Sequence, residues 1–481
     1  NRLESPTPAA ANASRRAAEV VLNEIMYHPI SDKRDDEYVE LHNPGAEPVD
    51  LTGWRLGGSN IAYDFTETIP AGGYLIVPRS RSKLAQLYPD RVGQMTTGGF
   101  SGALANSRDT VTLSRPAWVM NTDDPASPVL EQKRVVIETV TYRDGGEWGA
   151  LADGGGSSLE RIDPRTDPQL ARSWAASDET QKSAWTTLEF TGKIDHGFTA
   201  SANGDPTEMH IGLMNAGECL IDSVEVRAAG GANLVNNPSF EEDTADWRFM
   251  GTHDRSSLAV AADAYDGQRV LHVRAVGRVQ TGMNVIRGAM SAMLPKSGTG
   301  TIRARVRWLS GSPELLIRTR GNWLEASGPI LTTLALGTPG QPNSRARANG
   351  APALFDVIHQ PVLPRNGQKV TVYARAADPD GLSRATLYYR VDGTAGTNAV
   401  AMTACAGGYL AGEIPAGQPN NALVAFWVEA ADGRSPTGVS RFPADGRSPT
   451  GVSRFPAAAP QRECLVRFNE PIVSRAFGIY R

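Results

Sequence analysis

From Val21 to Tyr63 the chain reads VLNEIMYHPISDKRDDEYVELHNPGAEPVDLTGWRLGGSNIAY. Apolar and polar residues alternate in short bursts, and turn signals close them: Asn43-Pro44-Gly45, then Gly57-Gly58. Val21, Ile25, Val39, Leu41, Leu51, Trp54 and Leu56 supply the apolar beats. A period of two sends successive side chains to opposite faces of a strand, so Tyr38 and Glu40 point one way and Val39 and Leu41 the other. Short alternating strands between tight turns fold as a small antiparallel sandwich. Trp54 reads as a core plug between two sheets rather than a platform for a ligand.

Further along come Ile69-Pro70-Ala71-Gly72-Gly73-Tyr74-Leu75-Ile76-Val77, Asp109-Thr110-Val111-Thr112-Leu113, and a closing piece from Val140-Thr141-Tyr142 to Leu159-Glu160-Arg161. Together with Asn23-Glu24-Ile25, Glu37-Tyr38-Val39-Glu40-Leu41 and Leu51-Thr52-Gly53-Trp54, these motifs stand in an order that resembles the lamin-tail domain, an immunoglobulin-like β-sandwich. The resemblance implies an adhesive building block at 20–163, after an N-terminal segment at 1–19 expected to be flexible.

At 481 residues, about three domains are expected. The 49 glycines and 32 prolines suit turn-rich β modules. A net charge of −4 creates no strong field for nucleic acid. No apolar run approaches the ~20 residues of a membrane span, so no membrane insertion is expected. The chain starts at Asn1 without a visible signal peptide, which reads as a processed chain or a piece of a longer one. Three cysteines are too few for a disulfide framework; Cys405 and Cys464 either pair or remain thiols.

Residues 164–179, rich in Pro, Asp, Arg and Ser, read as a linker. Then Trp185–Phe190, His210–Leu213 and Glu218–Val226 alternate like strands. The last of these resembles the final strand of carbohydrate-binding jelly rolls, whereas Asn233–Glu241 with Trp247 resembles their opening. The usual end therefore precedes the usual start. Either a truncated jelly roll abuts another, or one jelly roll over 180–325 is circularly permuted, as neighbouring termini allow. The second reading is favoured, because neither half has enough strands to close two sheets.

Thr301–Trp308 alternates without a slip. Ile302, Ala304, Val306 and Trp308 take one face, and Arg303, Arg305 and Arg307 the other. Arginines near Trp308 and Trp323 could bind an acidic glycan by bidentate contacts and stacking. The plainer reading is a wet outer face whose arginines pair with local carboxylates. In carbohydrate-binding jelly rolls a calcium ion often ties the first strand to the last, and the resemblance places Asp222 and Glu241 there. This would be a structural ion bound through hard oxygens.

Residues 326–352, with GTPGQPNSRARANGAP, read as a second linker. The alternating runs Lys369–Ala376, Ala385–Val391 and Ala425–Ala430 resemble a fibronectin-III or immunoglobulin-like sandwich at 353–457. Asp378-Pro379-Asp380-Gly381 reads as an Asx turn, with calcium binding as the alternative. ADGRSPTGVSRFP at 431–443 recurs at 444–456, a tandem copy too short for a solenoid repeat. Residues 458–481 read as a strand leading into a further domain. In large bacterial surface proteins, modules of these kinds often precede a kinase-like domain of the spore-coat-H type, whose motifs are absent here.

No phosphate loop, nucleophile elbow, His-Glu-x-x-His or Cys-x-x-Cys occurs. The seven histidines are scattered. Asp35-Asp36-Glu37 and Glu241-Glu242-Asp243 read as solvated loop carboxylates. The fold class expected is all-β, in serial sandwiches. The expected role is a non-enzymatic, secreted or cell-surface structural or adhesive protein of a bacterium. Its expected partners are other surface proteins, copies of itself, or polysaccharide. The alternative is a glycan-binding accessory region of a larger secreted enzyme or kinase-like protein.

Overall fold

Alternating apolar residues need a second apolar face to cover them, and the chain meets that need with paired sheets. The computed structural model describes residues 18–121, 129–194, 207–260, 263–280, 282–294, 298–320, 324–365, 367–432, 434, 452–455 and 463–470. Its regular structure is nearly all strand, arranged as serial β-sandwiches.

In the first sandwich one sheet runs Trp174–Ala176, Leu159–Arg161, Val21–Met26, Tyr38–His42, Tyr74–Pro78. The other runs Val129–Arg143, Arg108–Asn121, Arg55–Gly58, Ile61–Asp64, Ser101–Gly102. Leu22, Ile25, Val39, Leu41, Leu56, Val111, Leu113 and Val140 form the buried core between them. Leu22 and Ile25 are three apart, yet both face this core. A register shift between Leu22 and Glu24 makes that parity work and turns Glu24 to the opposite face. Trp54 is buried in the same core, with the Arg115 guanidinium 5.6 Å from its ring centre.

The second sandwich pairs the sheet Thr186–Lys193, Thr299–Gly311, Gly217–Ala228, Arg269–Ala275, Ser257–Val260 with the sheet Trp247–Phe249, Ile286–Ala289, Glu208–Leu213, Glu314–Thr319, Glu325–Pro329. Strands from before and after residue 230 interleave. Gly217–Ala228 lies between Thr299–Gly311 and Arg269–Ala275, and Glu208–Leu213 lies between Ile286–Ala289 and Glu314–Thr319. One core holds both sets, including Ile211, Ile221, Ile302, Val306 and Trp308.

The third sandwich sets Ala353–Gln360, Val370–Ala377, Tyr409–Ile414, Thr403–Cys405 against Asn398–Ala401, Arg384–Val391, Leu423–Ala431, Val452–Phe455. Cys464–Arg467 also pairs with Leu423–Ala431, and Val466 and Phe468 are buried in this core. That part of 458–481 therefore completes the third sandwich instead of leaving it; residues 471–481 lie outside the described residues. In the tandem copy, 435–450 lie outside them too, while Val452–Phe455 pairs with Val428–Ala431. Cys405 is exposed and Cys464 partly buried. They lie in different sheets, and all three cysteines are free thiols.

Neither expected linker is one. From 164–179 comes the edge strand Trp174–Ala176. Trp174 is fully buried; its indole N–H donates to the Pro168 carbonyl at 2.8 Å, and Arg161 lies 5.4 Å from the ring centre. From 326–352 comes the last strand of the second sandwich, followed by a strap from Ile330 to Gly350 that crosses the first sandwich. Composition marks both segments as turn-rich. It carries no information about the distant groups that bind their backbone.

Candidate functional site

Glu24, Glu40 and Glu160 sit side by side on three neighbouring strands, with Glu24 opposite both Glu40 and Glu160. All three are fully buried, because the strap lies over them. A strap without regular structure carries unpaired backbone N–H groups, and a buried carboxylate accepts several hydrogen bonds. The two needs meet here. Glu24 accepts from the Thr338 N–H at 2.8 Å, and Glu160 from the Arg345 N–H at 2.8 Å and the Ser344 hydroxyl at 2.8 Å. Glu40 accepts from the Gly340 N–H. The Thr338 hydroxyl bridges Glu24 and Glu160, at 3.2 and 2.7 Å. Tyr38 and Ser158 donate hydroxyls to Glu24 from the sheet side, at 2.6 and 2.5 Å. Asn343 donates to the carbonyls of Asn23 and Arg161 at 3.0 and 2.9 Å, and its own carbonyl accepts from Asn23 Nδ2 at 2.8 Å. Glu179 accepts from the Gly337 N–H at 3.0 Å.

Among the described residues, hydroxyls and amides, not cations, meet Glu24 and Glu40. Burial pushes the Glu24 carboxyl up from about 4.5 to about 7, with the Glu160 charge adding to it; the Ser158, Tyr38 and Thr338 hydrogen bonds pull the other way. Burial likewise raises Glu40 well above the carboxylate range, aided by Glu24, and raises Glu160 and Glu179. Two further contacts bind the sandwiches. The Gly311 N–H donates to the Gly155 carbonyl at 2.8 Å. The Trp308 ring packs so closely on Gly156 that a Cβ there would lie 2.7 Å from it. At the third sandwich, Arg165 bonds Asp163 at 2.7 Å and Asp380 at 2.9 Å. Asp378–Gly381 forms the Asx turn, the Asp380 N–H donating to the Asp378 carboxylate at 2.8 Å.

The arginine row faces outward, but its aromatic neighbours are not those expected. Trp308 belongs to the opposite, buried face, and its indole N–H donates to the Gly311 carbonyl at 3.1 Å. It presents nothing to a ligand; alternation places it with Ile302 and Val306. Trp323 lies outside the described residues. Arg303 pairs with Glu225 at 2.7 Å, and Arg307 with Asp263 at 2.8 Å. Arg305 meets the Thr187 hydroxyl and the Tyr265 ring, 4.8 Å to its centre. Arg307 also lies over Trp185 at 5.7 Å, and Trp185 meets Tyr265 edge to face. Trp185 and Tyr265 are thus the aromatics of this face. Each is far from the arginines in sequence: Trp185 stands just before the strand Thr186–Lys193, and Tyr265 on a loop held by Asp222.

Asp222 and Glu241 do converge on one loop, as acceptors of its backbone. Asp222 takes the N–H groups of Ser223, Tyr265 and Asp266 at 2.6, 3.0 and 3.1 Å, and Glu241 those of Gln268 and Arg269 at 2.8 and 2.9 Å. Among the described residues no three His, Cys, Asp or Glu side chains gather as a metal site. The two carboxylates position the loop that carries Asp263 and Tyr265.

The architecture defines a serial β-sandwich protein whose first module is immunoglobulin-like. Residues 13–144 match the family model described as Lamin Tail Domain. No curated protein matches the chain. Among solved structures, a DUF4785 family protein from Legionella pneumophila is similar at 10% identity, over 60% of this chain and 62% of that one, with a TM-score of 0.15. The N-terminal eight Ig domains of Down Syndrome Cell Adhesion Molecule align at 10% identity, over 80% of this chain and 64% of that one, with a TM-score of 0.13. The chain spans less than two thirds of either structure.

Proposed function

We propose that this is a non-enzymatic structural or adhesive protein of a bacterial cell surface, in which a lamin-tail module and a permuted, jelly-roll-like module act as one stiff unit ahead of a fibronectin-III-like module. The observation that carries this reading is the buried strap. A connection meant to flex leaves its backbone to water, whereas this one spends its N–H groups on the carboxylates of the neighbouring module. Inter-domain motion is the default unless an interface is extensive and buried; here Leu336, Thr338 and Asn343 are all buried. The interleaved strands of the second sandwich support the permuted reading. Electron microscopy of the purified chain tests the proposal: the first two modules should keep a single mutual orientation in all particles. A chain with freely hinged modules that neither assembles nor adheres would sink it.

A second reading, glycan binding, is favoured at one spot only. Arg305 lies over the Tyr265 ring, which Trp185 meets edge to face, and has no carboxylate ion pair among the described residues. A glycan array with the native chain and Tyr265→Ala decides it. Acidic-glycan binding lost in the variant supports this reading, and a silent array ends it.

A further inference from the structure

The strands Arg108–Asn121 and Val129–Arg143 are far longer than the sheet they belong to. Their third neighbour, Arg55–Gly58, pairs only with Val111–Ser114. Residues 115–121 and 129–135 therefore stand out as a two-stranded ribbon. One of its faces exposes large apolar side chains among polar ones: Leu130 lies opposite Met120 and Gln132 opposite Trp118, and Trp118 is 66% exposed and Leu130 54%. The strand Val129–Arg143 is the edge of its sheet, so it presents unpaired backbone donors and acceptors.

We propose that this edge pairs with the same edge of a second copy, antiparallel and centred on Gln132. This rests on the structural reading above and names its partner. A two-fold antiparallel joint sets one residue opposite itself, so the register can be chosen by charge. Centring on Glu131, Lys133 or Arg134 puts like charges face to face. Centring on Gln132 puts Glu131 opposite Lys133 of the second copy, twice, and Val129 opposite Val135, twice. Both Glu131 and Lys133 are accessible, and they already attract each other within one chain at 3.3 Å. Arg134 stays engaged with the Gly53 carbonyl at 3.2 Å. The joined ribbons form a four-stranded sheet whose outward face carries Trp118, Met120 and Leu130 from both copies. A joint of this size buries less than the roughly 1,200 Å² of a stable complex, so single pairs are weak and copies held in an array are strengthened by avidity.

Sedimentation velocity on the full chain over a concentration series tests this, with native protein, Glu131→Lys, and the exchange Glu131→Lys/Lys133→Glu. Native chain should show concentration-dependent dimer. Glu131→Lys sets Lys opposite Lys at two places and should weaken the dimer roughly tenfold. The exchange should restore it, which also shows that the ribbon tolerates the substitutions. A chain that assembles equally in all three forms overturns the ribbon joint while leaving the structural reading intact. A chain that is monomeric throughout overturns the joint and removes support from the structural reading as well.

Discussion

Replacing Glu24 by Gln tests the buried carboxyl row most sharply. The Gln carbonyl keeps an acceptor for the Tyr38 and Ser158 hydroxyls and the Thr338 N–H, which all converge on Glu24 Oε1. Its amide faces the Thr338 hydroxyl, an oxygen that can accept as well as donate. What the variant removes is the charge. Folded Glu24 holds its proton up to about pH 7, against about 4.5 when unfolded. A carboxyl raised in this way binds its proton more tightly in the folded chain, so its contribution falls as pH rises through that window and levels off above it. The shift corresponds to roughly 3 kcal/mol. At pH 4, below the unfolded value, the native chain and Glu24→Gln should be about equally stable. At pH 8 the variant should be more stable, by up to roughly 3 kcal/mol. Urea unfolding followed by the fluorescence of buried Trp174 and Trp308 reads the difference. A stability offset that is the same at both pH values, or a variant that is weaker at pH 8, would refute the claim that a proton is held in this row.

Other outcomes follow from the same contacts. Gly337 has φ +80°, and a Cβ on it would lie 2.3 Å from the Tyr38 hydroxyl and 2.6 Å from Glu24; Gly337→Ala should cost at least about 2 kcal/mol and open the strap to protease. Trp308→Ala should destabilise the chain by about 3–5 kcal/mol, read by thermal unfolding, because it empties a core position that also touches Gly156 of the first sandwich. Oxidising the native chain should leave Cys405 and Cys464 unlinked within one molecule, as mass spectrometry of its peptides would show, since both are free thiols in the folded chain and Cys405 is exposed.

Local patterns carried much of this architecture. The alternation of Thr301–Trp308 separates core from solvent residue by residue, and the short bursts from Val21 to Tyr63 become strands around Trp54. The strap was not legible, for a physical reason. Gly, Pro, Asn and Ser at 337–344 are the residues of a mobile linker and equally of a backbone that must pass close over a sheet. What separates the two cases is a partner about three hundred residues earlier in the chain. Alternation sets Tyr38 and Glu40 on the face opposite Val39 and Leu41, and it reports which residues share a face, not whether another segment covers that face. The aromatic pair of the arginine face is hidden in the same way: Trp185 and Tyr265 meet Arg307 and Arg305 only in the folded chain, from a strand start and from a loop held by Asp222. Resemblance points to Asp222 and Glu241, and the fold brings both to one loop, from whose N–H groups they accept hydrogen bonds.

The strap is part of the folded unit and not a tether between modules. Hydrogen exchange at the amides of Thr338, Gly340 and Arg345 tests it most directly, because these N–H groups are the ones bound by Glu24, Glu40 and Glu160. They should exchange as slowly as the amides of Val21–Met26 and open together with them. Rapid exchange at these three positions, with both neighbouring sandwiches still protected, would contradict it.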